Sequence, residues 1–232
     1  MTRPPSTPPT HPQAVGHGVC WHLVIPVKDG SSSKSRLSPA PPLARRDLAL
    51  ALALDTIESA CSALSADQVT VVTSDPGAAA CAQGLGARVL TDPGAGLNAA
   101  VAAGWESTAR TVLARGADAS MLRTGWAALL GDLPSMRGED LRTALASCST
   151  HREAVVPDAD GTGTVLLTST AAPPLPQFGP GSAARHASTS TVLLLDLPRL
   201  RTDVDTVHDL RMAVALGVGR HTRAALARGG GS

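Results

Sequence analysis

Tyrosine is absent from the 232-residue chain and phenylalanine occurs once. With aromatic residues at 2%, the stacking platforms of single-strand nucleic-acid binders are missing, and the core has to be assembled from Leu, Val and Ala. Cysteine is sparse and scattered, at Cys20, Cys61, Cys81 and Cys148, with no C-x-x-C pair. Neither a zinc site nor a disulfide framework is indicated, and a reducing, cytoplasmic setting is expected. No apolar run reaches the roughly 18 residues that a membrane span needs. The opening M-T-R-P-P-S-T-P-P-T-H-P has no apolar core and reads as a disordered tail rather than a signal peptide. Excess charge is lacking too: the net charge is +1, so no bulk field points to nucleic acid or a lipid surface.

What is present is alternation. W-H-L-V-I-P-V (21–27) is a β-branched apolar run of the buried-strand kind, and Leu and Ile recur at helical spacing from Leu43 to Leu64. Q-V-T-V-V-T, A-R-V-L-T and W-A-A-L-L (126–130) read as further strands. Helices are expected in the Ala-rich stretch after S-D-P-G, from about Asn98 to Arg115, and at 138–148. A-V-V-P, T-V-L-L-T and T-V-L-L-L-D-L complete the strands, and a last helix spans about 207–216. This order predicts one α/β domain over 21–217, a mixed, mostly parallel sheet with helices on both faces, flanked by tails at 1–20 and 218–232. Such sheets take ligands at the carboxyl ends of their strands.

Polar motifs follow those strands. Lys28, Lys34 and Arg36 lie within nine residues of the loop after the first strand; they suit a polyphosphate, or a merely solvated loop. Asp132, in L-L-G-D-L-P, is placed to hold a metal or to cap the next helix. D-A-D-G-T-G-T (158–164) is a hairpin signal whose backbone N–H groups could also face an anion. Q-F-G-P-G-S-A-A-R-H (177–186) offers a helix start at Ser182, with His186 either binding phosphate or packing behind the loop. In L-R-T-D-V-D-T-V-H-D-L, Asp203 and Asp205 sit in a run that reads as extended, their side chains on one face, with Asp205 also fitting a helix N-cap. Asp132, Asp203 and Asp205 together have the composition of a hard-cation site.

Taken in order, V-I-P-V-K…K-S-R-L, G-L-N-A-A, G-D-L-P, D-G-T-G-T, F-G-P-G-S-A-A-R-H and D-V-D-T-V-H-D-L resemble the phosphoenolpyruvate or 2-phospho-L-lactate guanylyltransferases of coenzyme F420 biosynthesis, over residues 21–217. The resemblance implies a Rossmann-like, glycosyltransferase-A-like nucleotidyltransferase that joins GMP from GTP to a phosphorylated three-carbon acid, releases pyrophosphate and requires Mg²⁺. It implies that Asp132, Asp203 and Asp205 hold metal, and that Lys28, Lys34, Arg36 and Asn98 meet GTP. Thr164, Gly179 and Ser182 would contact the acceptor, and a downstream F420 transferase would consume the product. The rival readings are a nucleotidyltransferase for another acceptor (3-phosphoglycerate, a sugar phosphate or molybdopterin) and a non-catalytic nucleotide-binding protein of the same fold.

Overall fold

The structure, a computed structural model, describes residues 18–28, 42–114 and 123–229. Seven strands form one sheet in the order β3-β2-β1-β4-β6-β5-β7. They are β1 (Val19–Val27), β2 (Val69–Thr73), β3 (Arg88–Leu90), β4 (Arg123–Leu129), β5 (Glu153–Pro157), β6 (Thr164–Ser169) and β7 (Thr191–Val192). β1 pairs in parallel with β2 and β4, and β2 with β3, whereas β6 runs antiparallel to both β4 and β5.

The strands are apolar on both sides because both sides are covered. Leu23, Ile25 and Val27 of β1 face the cluster that holds helices α1 (Pro42–Ala63), α2 (Pro76–Gly84) and α4 (Gly138–Cys148). Val24 faces the opposite cluster, where Ala100, Val101 and Trp105 of α3 (Leu97–Ala114) pack. Each fully buried Leu or Val contributes about 1.5–3 kcal/mol, which compensates for the missing aromatics. The mixed sheet with helices on both faces agrees with the sequence expectation.

Three expectations need correction. T-V-L-L-L-D-L forms a ladder only at Thr191–Val192, paired with Ala154 and Val155 at the sheet edge. Beyond it Leu193, Leu195 and Leu197 pack against the core while Leu194 is 73% exposed, so the apolar content serves packing rather than strand pairing. The acids of D-V-D lie in an irregular loop between α6 (Pro198–Arg201) and α7 (Val207–Leu216), not on a strand. Residues 220–229, expected as part of a tail, are helical: α8 (Arg220–Gly229) packs on α1. It was illegible because it contributes little more than Ala225 and Leu226 to an apolar contact. Among the described residues, no helix is long and apolar enough to cross a membrane.

α8 is capped from a distance. The backbone N–H groups of His221 and Thr222 donate to the two carboxylate oxygens of Asp55 on α1, each at 2.9 Å. Glu58, one turn on, pairs with Arg220 and with Nε2 of His221. Gly219 has to lack a side chain here, since a Cβ would lie 2.3 Å from the Asp55 carboxylate. Replacing Gly219 by Ser, a residue that usually favours an N-cap, is therefore expected to lower stability, and Asp55→Ala to cost about 2 kcal/mol through the lost cap. Urea unfolding of the two variants checks both signs.

Candidate functional site

A cavity of about 800 Å³ opens at the carboxyl ends of β1 and β4. Its wall includes the end of β1 with Lys28, Ala49 and Ala53 of α1, Leu97 of α3, the G-D step after β4, the turn between β5 and β6, the F-G-P-G-S loop, and the loop and helix from Thr202 to Met212. Asp132, Asp203, Asp205, Thr164, Gly179, Ser182 and Lys28 all line it. Lys34 and Arg36 fall outside the described residues.

The acids are gathered by contacts that carry no charge. Asp132 follows β4 directly and caps no helix, since α4 begins at Gly138 with Arg137 as its N-cap. The next residue, Leu133, donates its N–H to the buried Thr56 hydroxyl of α1 at 2.9 Å, and Ser59 of the same helix donates to Met136 O at 2.7 Å. Val204 N donates to Asp132 O at 3.1 Å. Its side chain is fully buried with Leu48, Leu52 and Ala213, so Asp203 and Asp205 on either side of it are left at the cavity wall. The N-cap of α7 is Thr206, in a reciprocal capping box with Asp209, which leaves Asp205 without that duty.

Crowding shows in the titration of Asp203. Burial first, then the charges of Asp132, Asp205 and Asp158, push its carboxyl up to about 8. Against these acids the basic lining side chains among the described residues are Lys28 and His208. A set of carboxylate oxygens with repulsion to relieve suits a hard divalent cation rather than a soft one. A tighter cluster lies elsewhere: Asp55, Glu58 and His221 bring ligand-type atoms within 4.8 Å of one another. Its donors are already committed to α8 and Arg220, so a structural clamp accounts for it and the cavity acids are the better match to a functional ion.

Thr164 and the glycine loop line the cavity with groups that carry no formal charge. Gly179 and Gly181 have φ of +122° and +71°, values that β-carbon-bearing residues avoid, and they fold the loop so that Ser182 begins α5 (Ser182–Ala187). Phe178 is the loop's apolar anchor, 7% exposed in the core cluster over α3. Asn98, expected to meet a nucleotide, instead holds this loop: its amide donates to Phe178 O at 3.2 Å and accepts from Phe178 N at 2.7 Å. With both ends of the amide engaged, Asn98 positions the loop rather than lining the cavity.

Three further residues escaped the sequence reading. Asp158 accepts from Thr162 N and Gly163 N at 2.9 and 2.7 Å, shaping the β5–β6 turn and spending N–H groups that an anion could have used. Arg201 reaches Pro157 O and Asp158 O at 3.0 and 2.7 Å, tying that turn to the segment that carries Asp203. Arg185 binds the carbonyls of Gln177, Gly179 and Pro180. Two of the three act on backbone carbonyls and Asp158 on backbone N–H groups, so no pairing of side chains in the sequence signals them.

Comparison with known proteins now adds to this geometry. Residues 47–190 match the MobA-like NTP transferase domain. Phosphoenolpyruvate guanylyltransferase of Geodermatophilus obscurus is 44% identical over 214 residues, covering 89% of this chain and 94% of that protein. The enzyme of the same name from Thermomonospora curvata is 44% identical over 212 residues, covering 90% and 89%. A cytidylyltransferase from Leptospira borgpetersenii shares the fold, with a TM-score of 0.52 at 11% identity over 90% of this chain and 93% of that one.

The raised Asp203 carboxyl has a consequence for stability. A group titrating near 8 when folded, against an ordinary value of 3.8, holds its proton more tightly in the folded chain. Its stabilisation is complete below the ordinary value and is lost as pH rises through about 8. In a chelating buffer the protein is expected to melt at a higher temperature at about pH 5.5 than at about pH 8.5. Asp203→Asn should flatten the difference; an unaltered slope in that variant assigns it to another group.

Proposed function

The chain belongs to the phosphoenolpyruvate guanylyltransferase family, built on the MobA-like NTP transferase domain, and on that premise we propose how its cavity performs the reaction. The enzyme transfers GMP from GTP to the phosphate of phosphoenolpyruvate and releases pyrophosphate. The names of its relatives favour this acceptor over 2-phospho-L-lactate, 3-phosphoglycerate or a sugar phosphate. Placement of the product in F420 biosynthesis, its consumption by a following transferase and a cytoplasmic location are part of the same reading.

The observation that carries the residue assignment is that the three acids and the hydroxyls of Thr164 and Ser182 line one cavity. Asp132, Asp203 and Asp205 are the residues that would hold Mg²⁺, which when bound neutralises phosphate charge and orients the phosphoryl oxygens. Thr164 and the Gly179 backbone hold the acceptor, Ser182 setting Thr164 by donating its hydroxyl hydrogen to Oγ1, and the phosphates of GTP are assigned to Lys28 and, from sequence alone, to Lys34 and Arg36. An acceptor phosphate oxygen attacks the α-phosphorus in line. The new P–O bond forms as the α–β bond breaks, and the electron pair leaves with pyrophosphate. A phosphate monoester has its second pKa near about 6 and is largely ionised at neutral pH, so no side chain is needed as a base. What the protein supplies is proximity and a charge environment in which anions can meet.

Asp203→Asn is expected to lower the rate of pyrophosphate release with GTP and phosphoenolpyruvate by about 100-fold or more, with an unchanged circular dichroism spectrum. A variant that keeps the parent rate at saturating Mg²⁺ removes Asp203 from the site. In the same assay phosphoenolpyruvate should exceed 2-phospho-L-lactate and 3-phosphoglycerate in kcat/KM, and a reversed order reassigns the acceptor.

A further inference from the structure

Thr164 ends a chain of hydrogen bonds whose direction is forced. Gln177 N, a backbone donor, lies 2.9 Å from Nε2 of His186. A backbone N–H can only donate, so Nε2 carries a lone pair and the proton of the neutral ring sits on Nδ1. Nδ1 is 2.9 Å from Oγ1 of Thr164 and therefore donates to it. The Ser182 hydroxyl donates to the same oxygen from 3.1 Å. A hydroxyl oxygen has two acceptor lone pairs and one hydrogen. With both lone pairs of Thr164 engaged by His186 and Ser182, its own hydrogen has to point elsewhere, and among the described residues no acceptor takes it. Thr164 lines the cavity.

We propose that His186 is a positioning residue: its Nδ1–H tautomer fixes the Thr164 hydroxyl as an obligatory donor toward an anionic oxygen of the acceptor acid. This rests on the reading of that part of the cavity as the acceptor subsite. The opposite tautomer would set Nε2–H against Gln177 N–H and offer Thr164 a lone pair. Thr164 would then turn its hydrogen inward and show a lone pair to an arriving anion.

The surroundings keep the ring in the required form. His186 is 1% exposed, and Phe178 meets it edge-on with ring centroids 5.1 Å apart at 71°. Burial first, then the neighbouring Arg185 charge, push its imidazolium down to about 4, so the ring is neutral at neutral pH. Gln177, which selects the tautomer, is itself held by Arg185 through its carbonyl oxygen. The loop that carries Gly179 thus determines the direction in which Thr164 donates.

Two measurements on the full-length protein test this. Ring ¹⁵N NMR, with the His186 signal assigned by its loss in His186→Gln, should show a protonated Nδ1 and a bare Nε2, unchanged down to about pH 5.5. A signal with Nε2–H, or a ring that titrates near neutrality, overturns the inference. For kinetics, Asn places its amide nitrogen near the Nδ1 position, whereas Gln reaches only toward the Nε2 position. His186→Gln should raise KM for phosphoenolpyruvate roughly 10-fold above that of His186→Asn, because an anion loses one fixed donor, with KM for GTP equal in the two. Equal acceptor KM values in both variants, or a parallel rise for GTP, leave His186 with packing alone and overturn the proposal. The Nε2–H tautomer in an active enzyme counts against His186 only. The Nδ1–H tautomer in a protein that neither binds nor guanylylates phosphoenolpyruvate counts against the acceptor subsite.

Discussion

The backbone hydrogen bond from Val204 to Asp132, 3.1 Å long, is the joint on which the cavity depends. Carboxylates repel one another more strongly as the local dielectric falls, and burial together with the charges of Asp132, Asp205 and Asp158 lifts Asp203 to about 8. Something other than charge has to hold the acids together. The peptide group supplies the register, and burial of the Val204 side chain with Leu48, Leu52 and Ala213 supplies the driving force. α8 shares that apolar cluster, so the Asp55 cap at a helix end far along the chain supports the same loop. Stability is spent at the site and recovered beneath it.

The cavity solves two opposite problems. At the acids the protein concentrates negative charge that only a cation can make comfortable. At Thr164 it presents an uncharged hydroxyl aimed by a neutral imidazole. A positively charged histidine would bind an anion more strongly but would hold substrate and product alike, and uniform binding of that kind does not raise turnover. Directed neutral donors give orientation without that grip.

Much of the fold was legible because it rests on local signals. The apolar runs at Leu23–Val27 and Val69–Thr73, the uninterrupted helical spacing before Leu64 and the turn residues around Gly161 each declare an element without reference to the rest of the chain. The acids at 132, 203 and 205 stood out because a charged residue beside a buried run needs a reason. What the sequence could not reveal was made of long-range backbone contacts. Asn98 looks like a free polar residue until Phe178 is seen across it. Arg201 looks like surface charge until its carbonyl partners are in place. α8 looks like a tail because its cap comes from Asp55 on α1. T-V-L-L-L-D-L misled for the opposite reason: alternating apolar residues can satisfy a packing surface after the neighbouring strand has ended.

The reversed direction of β6 carries one more consequence. In an all-parallel sheet every strand reaches the ligand face with its last residues, and its first residues are committed to the far side. Because β6 runs against β4 and β5, Thr164 at its beginning arrives at the same rim as Lys28 and Asp132 at the ends of theirs. The hairpin joins the parallel half through the ladder that pairs Trp126–Leu129 of β4 with Leu166–Ser169 of β6. One rim thus combines groups from the ends of parallel strands with a hydroxyl from the start of an antiparallel one.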